Sequence, residues 1–138
     1  MFLWKKELEL GIPSIDEQHK KLLEIGNRIN DLILDHREGN DNYDEITDVI
    51  RELKDYTVYH FQNEQVLLEK YHYPDYDGHK KEHDDFIAYL NGIDINEVED
   101  DQIGFLKALL AKLIKWIFNH IISTDFLYRD FLLRLGAE

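Results

Sequence analysis

Apolar residues recur along this chain in steps of three and four, and four such stripes can be followed. The first reads Ile15, His19, Leu22, Gly26, Ile29 and Ile33. It opens at Pro13-Ser14-Ile15-Asp16-Glu17, where Ser14 is spaced to cap the backbone three residues on and Glu17 to reach back, and it ends near Arg37, before Gly39. The second starts around Asn42, with Glu45 three residues later as another capping pair, and runs through Ile46, Ile50, Leu53, Thr57, His60, Glu64, Leu67 and Tyr71. The third, from about Pro74 to Leu90, turns Tyr76, His79, His83, Phe86 and Leu90 inward before Asn91-Gly92. An acidic stretch (NEVEDD) reads as a solvated loop and a helix N-terminus that complements the dipole, leading to the fourth stripe: Ile103, Leu106, Leu110, Leu113, Ile117 and His120, continuing through Asp125 towards Leu135.

Steps of three and four are helical, and they form the seam of left-handed antiparallel packing; short connections favour neighbouring helices in up-down-up-down order. The expected fold is therefore all-α: an antiparallel up-down-up-down four-helix bundle over about residues 14–135. An extended N-terminal arm over about residues 1–13 precedes it, within a single domain spanning residues 1–138.

The occupants of the seam change the picture. A bundle core favours Leu, Ile and Val, and burying an unpaired carboxylate or imidazole there costs several kcal/mol after relaxation, roughly. Yet His19, His60, Glu64, His79, His83 and His120 all stand at seam positions. Bound metal is the simplest compensation. Histidine with carboxylate suits a borderline transition metal such as iron, and together with Asp125 the set has too many donors for one ion. On a helix, residues four apart lie on one face, so His60/Glu64 and His79/His83 can each converge on a shared centre. The spacing of five between His120 and Asp125 fits less well, since regular geometry turns Asp125 about 140° away. Either a widened, π-like turn, of the kind frequent at functional sites, or a carboxylate that reaches sideways is expected between them.

Composition narrows the function classes. The chain has 138 residues, a formal net charge of −13 and no cysteine. The acidic balance argues against nucleic-acid and anionic-membrane partners. Without cysteine there is no disulfide, thiolate-zinc site, cysteine-held iron–sulfur cluster or cysteine nucleophile. The N-terminal MFLWKKELELG carries charges throughout, so neither a signal peptide nor a membrane span is expected, and a cytoplasmic location is.

The motifs Ile15-Asp16-Glu17-Gln18-His19, His60-Phe61-x-x-Glu64, Tyr73-Pro74-x-Tyr76-x-x-His79-x-x-x-His83 and Trp116-x-x-x-His120-Ile121-x-x-x-Asp125, in this order on four helices, resemble those of the hemerythrin family, most closely its single-domain bacterial members. The resemblance runs from Trp4 to about Tyr128. It implies two iron ions (Fe2+/Fe3+) with an oxo or hydroxo bridge, one held by His79, His83 and His120 and the other by His19 and His60, with Glu64 and Asp125 bridging. It further implies reversible dioxygen binding at the iron with fewer histidines, serving oxygen transport, storage or delivery. Two ferrous ions with a bridging hydroxide and two ferric ions with a bridging oxide and a singly protonated, reduced dioxygen carry the same total charge. A dry pocket thus takes up no net charge, which matters where dielectric is low.

The residues expected to wall the oxygen pocket are apolar: Leu22, Leu23, Phe61, Trp116, Ile117 and Ile121. Ile117 stands where the family commonly has leucine, and a β-branched side chain is stiffer. Phe126 stands where lysine is common. The aromatic residues Trp4, Tyr76 and Phe86 are at core spacing. Tyr128 is placed either to hydrogen-bond a bridging carboxylate or to close the bundle end. His36 and His72 lack partners at helical spacing and read as surface residues. Glu69-x-x-His72 resembles half of the Glu-x-x-His pattern of carboxylate-rich di-iron enzymes, but the other copy and the further glutamates are missing.

No substrate pocket, organic-cofactor motif or nucleophilic triad is evident, so the chain is not expected to be an enzyme. Two alternatives accompany the carrier reading. One is a sensor of oxygen, nitric oxide or redox state acting through a partner. The other is a di-iron redox enzyme acting on peroxide or ferrous ion. A monomer is expected; the sequence names no protein that would receive the oxygen.

Overall fold

The computed structural model describes residues 6–35, 41–120 and 125–136. Among them the regular structure is helical throughout. A 3₁₀ turn, Lys6–Leu8, precedes α1 (Pro13–Asp35), α2 (Tyr43–Lys70), α3 (Tyr76–Asn91), the short α4 (Ile95–Asp100), α5 (Gln102–Phe118) and α6 (Phe126–Arg134). α1 packs against α2 and α5, and α2 against α3, so four long rods surround one core. α5 and α6 together make the fourth rod. Its joint bears π-helical backbone at Asn119, His120 and Asp125, the first of the two readings that the spacing of five allows.

Fully buried leucines and isoleucines stabilise the bundle by roughly 1.5–3 kcal/mol each. They come from α1 (Ile15, Leu22, Ile25, Ile29), α2 (Ile46, Leu53, Leu68) and α5 (Leu106, Leu109, Leu113, Ile117). The arm takes part in the core. Leu8, Leu10 and Ile12 are buried at alternate positions, so the arm packs on the bundle; its described part begins with the 3₁₀ turn. Trp4 and His36 lie outside the described residues.

Several local expectations are corrected. α1 begins at Pro13, so the N-cap position falls on Ile12 and Ser14 stands inside the first turn, two positions beyond it. The carboxylate that reaches back is Asp16, which accepts from the Leu10 N–H at 2.8 Å and the Gly11 N–H at 3.1 Å. At the start of α2 the Asn42 side chain does not cap the helix. Asp41 accepts from the Tyr43 N–H there, while Gln102 of α5 accepts from the Asn42 N–H and donates to Asp41. The acidic stretch before α5 is itself helical, as α4, with Asp94 capping it and Asp101 capping α5. Acidic residues suit these N-termini because the helix dipole leaves partial positive charge there. Two seam positions shift by one: Leu68 replaces Leu67 and Leu109 replaces Leu110 as the buried residue.

α2 ends in a Schellman motif. The His72 N–H bonds to Glu69 O and the Tyr73 N–H to Leu68 O, with His72 in the left-handed region at φ 55°. This reversal, followed by Pro74, turns the chain so that α3 returns alongside α2.

Candidate metal centre

Four rods aim seven side chains at one place. α1 supplies His19; α2 supplies His60 and Glu64, four residues apart; α3 supplies His79 and His83, again four apart; and the joint between α5 and α6 supplies His120 and Asp125. All seven are at most 1% exposed. The π-helical backbone at Asn119, His120 and Asp125 goes with an Asp125 that faces inward, 2.9 Å from His120 Nε2.

The donors fall into two groups that share the carboxylates. Glu64 Oε1 contacts His79 Nε2 and lies 3.4 Å from His83 Nε2 and 3.8 Å from His120 Nε2. Asp125 Oδ1 lies 3.2 Å from His79 Nε2 and 2.9 Å from His120 Nε2. The opposite oxygens face the other two histidines. Glu64 Oε2 is 2.9 Å from His60 Nε2 and 3.9 Å from His19 Nε2, and Asp125 Oδ2 is 3.0 Å from His19 Nε2. Each carboxylate thus presents one oxygen to a group of three histidines and one to a group of two. Two overlapping donor sets result, Glu64/His79/His83/His120 and His19/His60/Glu64/Asp125, with ligand atoms within 4.8 Å of one another in each.

This arrangement fits a pair of metal ions. His19 Nε2, His60 Nε2, Glu64 Oε2 and both Asp125 oxygens are buried yet form no hydrogen bond among the described residues. They converge without satisfying one another, which is costly unless a cation satisfies them. Nitrogen and oxygen donors in this proportion suit iron better than calcium or magnesium.

Three residues behind the histidines escaped the sequence reading. Gln18, itself buried, has its amide Oε1 2.6 Å from His60 Nδ1. Gln65 pairs with His83 Nδ1 at 3.0 Å, and the Glu82 carboxylate faces His120 Nδ1 at 3.6 Å. The oxygens of Gln18 and Glu82 are placed to accept from Nδ1–H and so leave Nε2 for a metal, whereas the Gln65 atom facing His83 is its amide nitrogen. Each is the sequence neighbour of a ligand (Gln18-His19, Glu64-Gln65, Glu82-His83), a signal that was available.

The surroundings perturb the titrating groups in opposite directions. Burial pushes His60 down and His83 down to about 4, against the pull of Glu64. Burial alone would raise Glu64, but the neighbouring His60, His120 and His79 imidazoles outweigh it and hold the carboxyl well below its usual range. For His120, burial is likewise overcome, by Asp125, Glu64 and Glu82, and the imidazole is held well above its usual value. Tyr128 is pushed far up by burial and by the nearby Glu64 and Asp125. Its hydroxyl makes no hydrogen bond among the described residues, and its ring packs edge-on to Tyr73 and tilted against His79.

Leu22, Leu23, Phe61 and Ile117 are buried and Trp116 partly so, while Ile121 lies outside the described residues. Phe61 stacks flat on His83 with ring centroids 3.8 Å apart, and Trp116 stacks on His120 at 4.2 Å. Both therefore flank the three-histidine group, although Phe61 also lies 5.6 Å from the His60 ring. His72 is exposed, and its place is explained by the Schellman turn.

Fold and site together define an all-α bundle with a buried histidine–carboxylate metal centre. The family model described as the hemerythrin HHE cation binding domain matches residues 10–132. The chain belongs to the hemerythrin family. It is 41% identical to a bacteriohemerythrin of Clostridium acetobutylicum over 130 residues, covering 94% of this chain and 100% of that one. With a bacteriohemerythrin of Pseudomonas aeruginosa PAO1 it shares 36% identity over 129 residues, 93% of this chain and 79% of that one. A crystal structure of wild-type hemerythrin superposes with a TM-score of 0.74 at 26% identity, covering 96% of this chain and 98% of that one. Family and donor set together imply non-haem iron. Among the described residues no helix is long and apolar enough to cross a membrane.

Proposed function

We propose that this chain binds dioxygen reversibly at a di-iron centre bridged by Glu64 and Asp125, with a third, oxo or hydroxo bridge, and so carries, stores or delivers oxygen. The observation that carries this reading is the division of the two carboxylates, one oxygen of each towards His79, His83 and His120 and the other towards His19 and His60. One group then offers three histidines and two carboxylate oxygens, the other two histidines and two oxygens. The poorer group is where an incoming small molecule finds room. Iron, when bound, supplies the reversible electron changes that oxygen uptake requires.

The chain's own residues do the rest. Gln18 orients His60 through Nδ1, leaving Nε2 for the centre. Glu64 and Asp125 bring two negative charges that offset part of the metal charge. Leu22, Leu23, Phe61, Trp116, Ile117 and Ile121 form the apolar wall in this reading and keep water and stray acids from the bound gas. The same proposal takes residues 1–138 as one domain, with the arm over residues 1–13.

The test is the visible spectrum of iron-loaded protein cycled between deoxygenated buffer and air. A charge-transfer band that appears with oxygen and disappears under vacuum, over repeated cycles, is the expected result. A permanent diferric spectrum after one exposure would overturn reversible carriage and favour a redox or sensing role.

A further inference from the structure

In a chain of net charge −13, one helix has no acidic residue. α5 carries Lys107, Lys112 and Lys115 as its only charged residues. All three are exposed, and none forms an ion pair among the described residues. The cations that do form ion pairs lie on other helices and include Lys21 and Arg28 with Glu52, Arg51 with Asp48, Lys80 with Asp84 and Lys81 with Asp85.

Two concavities lie along this face. An apolar groove of about 470 Å³ runs between α1 and α5 over Ile33, Leu110 and Ile114, with Lys107 and Lys115 on its rim. A smaller cleft of about 120 Å³ is lined by Glu82, Lys112, Lys115, Trp116, Asn119 and His120. Within that cleft the partly exposed Trp116 lies nearly parallel to His120, at 15° between ring planes. A surface aromatic is thus in van der Waals contact with a residue of the three-histidine group. One carboxylate, Glu82, faces the cleft against two lysines.

We propose that the lysine face of α5 is the docking surface for an acidic one-electron carrier protein, which delivers electrons to the buried centre through Trp116 and His120. The inference rests on the di-iron reading above. Three lysines fall short of the four to eight that mark an anionic lipid surface. They suffice for the small, electrostatically steered contacts typical of redox partners. Electron tunnelling falls off steeply with distance, and the stacked pair is the contact by which the cleft reaches the ligands.

The chemistry balances with the carrier as reductant. Each encounter oxidises one reduced iron–sulfur cluster and reduces one Fe(III) to Fe(II). Two encounters and one proton, taken up by the bridging oxide, return an air-oxidised centre to its hydroxide-bridged diferrous state.

The test uses reduced [2Fe–2S] ferredoxin, an acidic carrier, in stopped-flow reduction of the air-oxidised, iron-loaded chain. Calorimetric binding of oxidised ferredoxin to the full chain, with and without iron, gives a second readout. Both rate and affinity are expected to fall as salt rises, although both proteins are acidic overall. The double variant Lys112→Glu/Lys115→Glu is expected to lower both about tenfold or more and to leave the oxygen-dependent spectrum unchanged. Trp116→Leu is expected to slow reduction about tenfold more than it weakens binding. Rates that rise with salt, lysine variants that behave as the parent, or sedimentation with phosphatidylglycerol vesicles without ferredoxin binding would each overturn the docking surface. A chain that binds ferredoxin through these lysines but holds no redox-active iron would refute the electron step together with the dioxygen reading. A redox-active chain that ignores ferredoxin would refute the docking surface alone.

Discussion

Gln18 decides which nitrogen of His60 faces the carboxylates. Its amide oxygen, 2.6 Å from Nδ1, accepts a hydrogen bond from Nδ1–H and leaves Nε2 unprotonated on the side of the carboxylates. Gln18→Leu keeps much of the volume but removes the acceptor. It is expected to weaken metal binding at the two-histidine group about 10–100-fold, read by titration against a competing chelator. Gln18→Glu should restore most of the loss, and equal affinities in all three proteins would remove this role. A second residue-scale expectation concerns Ile117, fully buried beside the site. Ile117→Ala should retain iron, cost about 2–5 kcal/mol and shorten the oxygenated lifetime by admitting water, as seen in the decay of the charge-transfer band. An unchanged lifetime would place Ile117 outside the pocket.

At the scale of single elements, the sharpest expectation is at the end of α2. His72 occupies the left-handed position of the Schellman turn, where a side chain costs about 1 kcal/mol relative to glycine. His72→Gly should therefore stabilise the protein by about 1 kcal/mol in chemical denaturation, with iron content unaltered. The helices and their inward faces were legible in the sequence because His, Glu and Leu repeat at steps that suit nothing else. The π-helical backbone at His120 and Asp125 was legible in part, because a spacing of five fits a regular helix poorly and left a wide turn or a sideways carboxylate as the two readings. The ends of helices were less so. Ser14, Asp16 and Asp41 are all good caps, and which one acts depends on where Ile12 and Gln102 pack. The change from Leu67 to Leu68 has a simple origin: a straight helix drifts about 20° per heptad, and several turns beyond Ile46 the next residue reaches the core. Gln18, Gln65 and Glu82 were missed because a polar residue beside a ligand reads as solvated until the packing shows which way it turns.

Across the whole molecule, stability and metal content are linked. Seven buried donors from four rods are a liability to the bare chain and an asset to the loaded one. Removal of iron should therefore lower the melting temperature by about 10 °C or more, reversibly on re-addition. Acid should aggravate this in the iron-free protein. His60 and His83 have folded-state values below that of an unfolded histidine, so their contribution is complete above about pH 6.5. It is lost as pH falls, for His83 until about 4. Glu64, also depressed, acts in the same direction below about 4.5. His120, held high, contributes oppositely: its share is full below about 6.5 and is lost only as pH rises through its folded value. Between pH 6.5 and 4 the shares of His60, His83 and, below about 4.5, Glu64 fall while that of His120 stays full, so the urea midpoint should drop; a flat profile would contradict this.

The π-helical joint has a consequence for the kinds of sequence change the chain can absorb. The spacing of five between His120 and Asp125 is one residue more than a regular helix needs to bring two donors to one face. Deleting a single residue within 121–124 brings histidine and aspartate to the four-residue spacing already used by His60/Glu64 and His79/His83, so a plain α-helix can serve both, and Tyr128 and Leu132 keep their register with Asp125. The same deletion between His60 and Glu64 has no surplus to draw on and turns everything beyond it by about 100°. The joint is thus the one place in this core where a length variant is expected to keep its iron. A deletion scan scored by iron per chain should give one tolerant window there, flanked by intolerant helices.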